Sequence, residues 1–122
     1  MPIPKNLDPA FAAPIMCGGA TVYSPLTQYG AGKTAKDVGI IGIGGLGHFG
    51  VLFAKALGAN VTAITHGTSK TEDAKKLGAS TVIVTGDDPA AAVKDHRRSL
   101  DLIVCTSSEW ACALAPVRQP PC

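Results

Sequence analysis

The stretch from Val38 to Gly58, VGIIGIGGLGHFGVLFAKALG, decides the fold. It predicts a buried β-strand, a glycine turn and an amphipathic helix in direct succession. Within it, Gly42 to Gly47 read GIGGLG and fit G-x-G-x-x-G, the fingerprint of dinucleotide-binding turns. The first glycine of this pattern allows a tight turn, the second lets the backbone approach a diphosphate, and the third lets the helix pack on the strand. Because the pattern alone is weak, its interpretation depends on the flanking sequence.

The flanking sequence predicts strands and helices in alternation. Strands are predicted over 38–43, 60–65, 80–85 and 100–105, and helices over 46–57, 69–77 and 88–98. Alternation at this spacing is typical of a parallel sheet with helices on both faces. We therefore predict an α/β fold, a Rossmann-like doubly wound parallel sheet that is incomplete, with about four strands. Residues 1–107 are expected to form this partial domain with a preceding helix, and 108–122 an irregular tail.

The segment before the first strand predicts a helix that is interrupted. Asp8 is expected to cap its N-terminus, with Pro9 at the first helical position. Pro14 and the Gly18-Gly19 pair are expected to break it, and Gly30 to end it.

Two expectations concern the later helices. Leu46, Phe49, Phe53 and Leu57 share one face of the helix that follows the glycine turn. Further on, Ser69 to Glu72 read SKTE, which predicts a capping box at the start of the next helix.

A second glycine-rich loop, Gly30 to Thr34 (GAGKT), resembles part of a phosphate loop. The full pattern requires a glycine five residues before Gly32, where this chain has Thr27. This loop also precedes a strand, whereas a phosphate loop follows one. We therefore interpret it as a surface loop.

Composition excludes several classes of protein. The 122 residues are 46% hydrophobic and 16% charged, which is typical of a compact globular domain. A net charge of +2 is too small to indicate nucleic-acid or membrane binding. The N-terminal residues lack the apolar segment of an export signal, and the four cysteines form no C-x-x-C pair. A cytoplasmic protein with free thiols is the expectation.

The residues at the end of the second predicted strand bear on the choice of cofactor. An NAD-binding unit carries a carboxylate there, which binds the 2′-hydroxyl of the ribose. This chain has Thr65, His66, Gly67, Thr68, Ser69 and Lys70 instead. Small hydroxyl groups with a lysine suit a 2′-phosphate, so NADP(H) is favoured over NAD(H). The alternative is that Lys70 is an ordinary solvated lysine.

Several motifs in the correct order resemble the zinc-dependent medium-chain alcohol dehydrogenases, in particular their NADP-dependent cinnamyl-alcohol-dehydrogenase-like branch. The resemblance covers about Ile3 to Ser107. It rests on APIMCGGATVYSPL, VGIIGIGGLGHFGVLFAKALGA, the 65–70 segment before EDAKKLGA, and DLIVC.

The resemblance implies roles for individual residues. Cys17 would be one of three protein ligands of a catalytic zinc, and Thr21 would lie beside the nicotinamide. Thr106, just past the fourth strand, would lie near the cofactor. The diphosphate and the ribose with its 2′-phosphate would be bound by two sets of residues: Gly42, Gly44, Gly45, Leu46 and Gly47; and Thr65, His66, Thr68, Ser69 and Lys70. In the family, zinc polarises the alcohol oxygen and hydride passes to the nicotinamide.

This chain also departs from the family. The other zinc ligands come from a catalytic domain that is absent here, and none of His48, His66 and His96 is followed by glutamate. The strands that form the family's homodimer contact are also absent. We assign no catalytic residue and expect zinc binding through Cys17 alone to be weak.

Three hypotheses of function follow. The first is the cofactor-binding part of an NADP(H)-dependent alcohol dehydrogenase that interconverts primary alcohols and aldehydes and is inactive as this fragment alone. The second is a non-catalytic, truncated nucleotide-binding module. The third, a nucleotide-sensing regulatory domain, is disfavoured by CGGATVYSPL.

Overall fold

The structure, a computed structural model, describes residues 3–96 and 98–107. The predicted tail at 108–122 lies outside these residues. In chain order the described elements are α1 (Pro9–Pro14), a π-helical turn (Ile15–Gly19), α2 (Ala20–Gln28), β1 (Asp37–Ile41), α3 (Gly45–Ala56), β2 (Asn60–Thr65), a 3₁₀ turn (Thr68–Lys70), α4 (Thr71–Leu77), β3 (Thr81–Val84), α5 (Pro89–Ala92), a second 3₁₀ turn (Lys94–His96) and β4 (Leu102–Cys105).

The described residues form one parallel sheet of four strands in the order β3-β2-β1-β4. Val38 on β1 pairs with Val61 on β2 and with Leu102 on β4. Each strand lies within two residues of its predicted ends. The prediction of a Rossmann-like α/β sheet is therefore confirmed. Because β2 and β4 flank β1, the strand order reverses between β1 and β4, which is where doubly wound sheets bind ligands.

The core lies on both faces of this sheet. One cluster contains Val38, Ile40 and Val61 with Val51 and Ala54 of α3. The second contains Ile41, Ile64 and Ile83 with Val93 and Leu100. Alternate residues of β1 and β2 enter opposite clusters, as expected for strands that are covered on both sides.

Helix α3 packs on the sheet through its small residues. Gly47, Gly50, Val51 and Ala54 are its buried positions. The predicted face of Leu46, Phe49 and Phe53 is turned instead toward α2 and the π-helical turn. Phe53 meets Tyr23 edge to face, with ring centroids 5.7 Å apart. Glycines on the sheet side allow close packing, and aromatic rings fill the wider gap to the preceding helices.

The α-helix is interrupted between Pro14 and the Gly18-Gly19 pair, as predicted, with a short α1 before and a longer α2 after, but the chain between them does not leave the helix. The backbone stays right-handed helical from Pro14 to Ala20 and widens into the π-helical turn. Gly18 and Gly19 lie against α3, where an added Cβ would meet Phe49 and Phe53 at 3.3 and 3.2 Å. They permit a close helix–helix approach, so their role is in packing.

The helix ends are predicted well in three places and wrongly in one. Asp8 accepts a hydrogen bond from the Ala10 N–H at 2.9 Å, and Asp88 accepts one from the Ala91 N–H at 3.1 Å. Gly30 ends α2 with a φ of 73°. Ser69, however, is not the N-cap of α4: the cap is Lys70, which makes no side-chain capping bond. A 3₁₀ turn that includes Ser69 precedes this helix, and neither the turn nor the helix has a side-chain cap, so the expected box is not formed.

Across the described residues, we find no helix that has both the length and the apolar character required to cross a membrane.

Candidate functional site

The Gly42–Gly47 segment, called the glycine turn below, connects β1 to α3. Gly42 has a φ of 85°, a backbone conformation that favours glycine. Its N–H donates to the carbonyl oxygen of Ile64 at the end of β2, at 2.9 Å. A Cβ at Gly47 would collide with the Gly42 carbonyl oxygen. Gly42 therefore makes the tight turn, and Gly47 lets α3 begin directly against the strand end.

Gly44 and Gly45 serve a different purpose. A Cβ at either position would meet no atom within 4 Å, so neither glycine is required by internal packing. Gly44 is the N-cap of α3, and its carbonyl accepts from the His48 N–H at 3.0 Å. The first N–H groups of a helix have no acceptor within that helix and favour an anion. The open space beside Gly44 and Gly45, at the start of this helix, leaves room for such an anion.

A cavity of about 260 Å³ lies at the carboxyl edge of the sheet beside the glycine turn. Gly42, Gly44, Thr65 and His66, all predicted from sequence, line it. The residues that sequence reasoning missed are Ile41, Ile43, Ile64, Thr85 and Ser107. The rule that ligands bind at strand carboxyl ends could have identified Thr85, which follows β3.

Thr85 helps to shape this cavity. It is buried, and its hydroxyl donates to the Thr65 carbonyl oxygen at 3.3 Å. Its N–H donates to the same oxygen at 2.9 Å. Thr85 therefore fixes the point at which β2 ends and the 65–70 segment begins.

A second cavity, of about 300 Å³, lies between the glycine turn and α4. Gly44, Gly45, His48, Lys70 and Asp73 line it together with Ile43 and Leu77. Of the predicted 65–70 residues, Lys70 alone is among this lining, while exposed Thr68 and Ser69 lie in the adjoining 3₁₀ turn. Asp73 was not predicted, and it places a carboxylate in the same cavity as the lysine.

Thr106 lies one residue past β4, next to the glycine turn. Its hydroxyl is 2.9 Å from the Ile41 carbonyl oxygen and 2.8 Å from the Gly42 carbonyl oxygen. Its N–H also donates to Ile41, at 2.9 Å. The structure therefore places Thr106 at the predicted site, bonded to the turn itself.

Cys17 and Thr21 belong to the π-helical turn and α2, which pack against the face of α3 that carries Leu46, Phe49 and Phe53. Cys17 is exposed on the π-helical turn, and the Thr21 hydroxyl donates to its carbonyl oxygen at 2.8 Å. Neighbouring Gly18 faces Leu46 and Phe49 of α3. Leu46, predicted as a cofactor residue, is 37% exposed and borders this packing. A largely apolar cavity of about 440 Å³ lies nearby and is lined by Gly45, His48 and Phe49 together with residues of α1 and the π-helical turn.

Comparison with known proteins identifies the family. The family described as "Zinc-binding dehydrogenase" matches residues 45–114, more than half of the chain. The chain belongs to the zinc-binding dehydrogenase family. The matched span ends at residue 114, beyond Ser107, where the sequence resemblance was placed.

Individual zinc-binding dehydrogenases support this assignment. The chain is 46% identical over 109 residues to NADP-dependent alcohol dehydrogenase 6 of Saccharomyces cerevisiae, covering 88% of this chain and 30% of that protein. Its fold matches a cinnamyl alcohol dehydrogenase from Sorghum bicolor with a TM-score of 0.84 and 40% identity, over 95% of this chain and 33% of the other. A cinnamyl alcohol dehydrogenase from Helicobacter pylori, solved with NADP(H), gives a TM-score of 0.72 and 34% identity over 88% and 28% of the two chains. The chain thus spans about 30% of the length of the curated relatives that it matches.

The family's description implies a bound zinc, and a catalytic zinc site needs more ligands than the described residues supply. A catalytic zinc has three protein ligands and an open position. Among residues 3–96 and 98–107, no group of three or more His, Cys, Asp or Glu side chains could hold a metal ion. The described residues therefore do not provide a complete zinc site.

Proposed function

We propose that residues 1–107 are part of the NADP(H)-binding domain of a zinc-dependent alcohol dehydrogenase, with 108–122 as an irregular tail. The observation that carries this proposal is the glycine turn at the point where the strand order reverses, beside an open cavity. Backbone N–H groups and a helix N-terminus at such a point bind the diphosphate of a dinucleotide.

In this proposal the chain's own residues bind and orient the cofactor. Gly44 and Gly45 leave room for the diphosphate, and Leu46 and Gly47 belong to the first turn of the helix that faces it. The 65–70 segment binds the adenosine ribose. Thr21 lies beside the nicotinamide. When bound, the nicotinamide supplies hydride transfer between a primary alcohol and its aldehyde.

The preference for NADP(H) rests on charge at the second cavity. No carboxylate follows β2 directly, and Lys70 lines the cavity where a 2′-phosphate would be bound. Asp73 weakens the preference for NADP(H), because a carboxylate in the same cavity repels a phosphate. Both side chains are exposed, so each contributes modestly and is screened by salt. The names of the yeast and Helicobacter relatives, which specify NADP, favour the same cofactor.

A titration of the 122-residue chain with NADPH and NADH tests the proposal. We expect tighter binding of NADPH, followed by its fluorescence. Lys70→Ala should weaken NADPH binding by about 5-fold and leave NADH unchanged, since one exposed ion pair contributes up to about 1 kcal/mol. Asp73→Asn should tighten NADPH binding by about 2- to 5-fold on the same basis. Equal affinities for the two dinucleotides would contradict the assignment of the 2′-phosphate.

The second candidate is a non-catalytic nucleotide-binding module. The observation that favours it is that the described residues do not assemble three metal ligands. Both candidates predict that the 122-residue chain, with zinc and NADPH, does not reduce an aromatic aldehyde. The two differ when the remainder of a related dehydrogenase is supplied as a fusion. In the fusion we expect zinc-dependent NADPH oxidation that Cys17→Ala abolishes if the chain is part of the enzyme, whereas a folded fusion without activity would favour the module.

We also propose a cytoplasmic location, a small alcohol or aldehyde as the substrate, and the family's homodimer for the whole protein. These rest on the free thiols Cys17 and Cys105 and on the family assignment.

A further inference from the structure

The hydroxyl of Thr106 bonds two carbonyl oxygens, one at the end of β1 and one at the start of the glycine turn. Its oxygen is 2.9 Å from the Ile41 oxygen and 2.8 Å from the Gly42 oxygen. A threonine hydroxyl carries one proton, and carbonyl oxygens can only accept. The donor of Thr106 is therefore committed to this pair of carbonyls, and only its lone pairs remain for a ligand.

The hydroxyl bond to Gly42 has a consequence that the hydroxyl bond to Ile41 lacks. Ile41 already accepts from the Thr106 N–H as a continuation of the β1–β4 pairing. Gly42 stands beyond the paired residues, so the hydroxyl is what joins its carbonyl to β4. On the other side, the Gly42 N–H donates to Ile64 of β2. One glycine is thus held by both neighbouring strands.

This bond fixes the orientation of one peptide group. The C=O and N–H of a trans peptide point in opposite directions. Since the Gly42 carbonyl is directed toward Thr106 and α3, the Ile43 N–H is directed away from them. Glycine samples many backbone conformations, so this peptide could otherwise rotate and present its carbonyl to the cavity. A carbonyl dipole there would repel an anion.

We propose that Thr106 is a positioning residue: its hydroxyl holds the Gly42–Ile43 peptide with the carbonyl inward, so that the glycine turn meets a diphosphate with N–H groups. This assignment rests on the proposed dinucleotide site and changes the expected role of Thr106 from ligand to support. It also explains the close packing here, because a Cβ at Gly42 or Gly47 would lie 3.1 or 3.2 Å from the Thr106 hydroxyl oxygen.

The chain offers a matched control for the loss of such a hydroxyl. Thr27 on α2 also bonds two carbonyl oxygens, those of Tyr23 at 2.9 Å and Ser24 at 3.0 Å. It lies outside every cavity described above. The test compares Thr106→Val, Thr106→Ser and Thr27→Val by NADPH titration and by amide hydrogen exchange at Ile43 to Gly47. If Thr106→Val fails to fold, Thr106→Cys, with its weaker donor, replaces it.

We expect Thr106→Val to weaken NADPH binding by about 5- to 30-fold, the range that corresponds to one unsatisfied polar group. Thr106→Ser should restore binding to within about 3-fold of the unmodified chain, because it keeps the hydroxyl. Thr27→Val should leave binding unchanged. Unchanged binding in Thr106→Val, or equal weakening in Thr106→Ser, would overturn the proposal.

Amide exchange separates this proposal from the proposed function. If the unmodified chain binds no NADPH, the proposed function fails, and exchange decides the role of Thr106 alone. Faster exchange confined to Ile43 to Gly47 in Thr106→Val, with normal exchange in Thr106→Ser, supports the positioning role. Unchanged exchange, or acceleration throughout the chain, contradicts it.

Discussion

Two glycine-rich loops flank the same strand, and they differ in where their backbone groups are directed. The Gly30–Thr34 loop precedes β1 and the glycine turn follows it, so the two loops lie at opposite edges of the sheet. Both contain a glycine with positive φ and a glycine without room for a Cβ. By composition alone, both resemble nucleotide-binding loops.

The Gly30–Thr34 loop uses its N–H groups internally. The N–H groups of Lys33, Thr34 and Ala35 all donate to the Gly30 carbonyl oxygen, at 2.9, 3.0 and 3.0 Å. Gly32 donates to Ala35 at 2.8 Å. The glycine turn instead continues into α3, whose first N–H groups have no acceptor within the helix, and a Cβ at Gly44 or Gly45 would meet only open space. We therefore distinguish the proposed binding loop by its unused donors at the carboxyl edge of the sheet and not by its glycine content.

The largest effect is expected at Gly32, in the Gly30–Thr34 loop. A Cβ there would collide with the Leu57 carbonyl oxygen, and the residue has a φ of 77°. Gly32→Ala should lower the free energy of unfolding by about 2–5 kcal/mol, the sum of overpacking and left-handed strain. Urea denaturation measures this loss. Gly58→Ala is the control: its φ is 90° but its surroundings are open, so about 1–2 kcal/mol is expected. Equal losses would show that the collision contributes nothing.

A smaller loss of stability but a direct loss of binding is expected at Gly47. Its Cβ would collide with the Gly42 carbonyl oxygen, which would push α3 away from the turn. Gly47→Ala should lower the free energy of unfolding by about 1–3 kcal/mol. It should also weaken NADPH binding at least about tenfold, since a displacement that costs 1.4 kcal/mol is sufficient. Denaturation and fluorescence titration measure the two effects.

Gly45→Ala is the stability control for Gly47→Ala, because it lies on the same helix with no atom near its Cβ. We expect no loss of stability, and a gain of up to about 1 kcal/mol from helix propensity. A large loss there would mean that the helix start does not tolerate any side chain, and the specific role of Gly47 would not stand.

The smallest effect is expected at Lys33, which a phosphate-loop interpretation would make essential. Lys33 is exposed, and the N–H groups around it bond within the loop. Lys33→Ala should change NADPH affinity by less than about twofold and stability by less than about 0.5 kcal/mol. A tenfold loss of affinity would mean that the Gly30–Thr34 loop contacts the nucleotide, and the contrast between the loops would fail.

The sequence predicted the strands and the glycine turn because both depend on local patterns. Continuous apolar runs mark strands that are covered on both faces, and the collision at Gly47 makes glycine obligatory there. Thr65 and His66 were found for the same reason: they lie at the end of β2, and the carboxyl edge of a parallel sheet is a known binding position.

What the sequence could not predict depends on contacts between distant elements. Gly18 and Gly19 resemble helix breakers, yet the packing against Phe49 and Phe53 keeps this segment helical. Asp73 is indistinguishable in sequence from any first-turn acid, and only the position of α4 brings it into the cavity with Lys70. Tertiary placement decided each of these cases.

The bond between Thr106 and Gly42 also bears on the order of folding. The two residues are 64 positions apart, whereas the β1–β2 pairs, such as Val38 with Val61, close a much shorter loop. Closing longer loops costs more chain entropy, and contacts distant in sequence form more slowly. During synthesis, β1, α3 and β2 can therefore associate well before β4 emerges. The glycine turn therefore reaches its final geometry only when the end of β4 docks beside it.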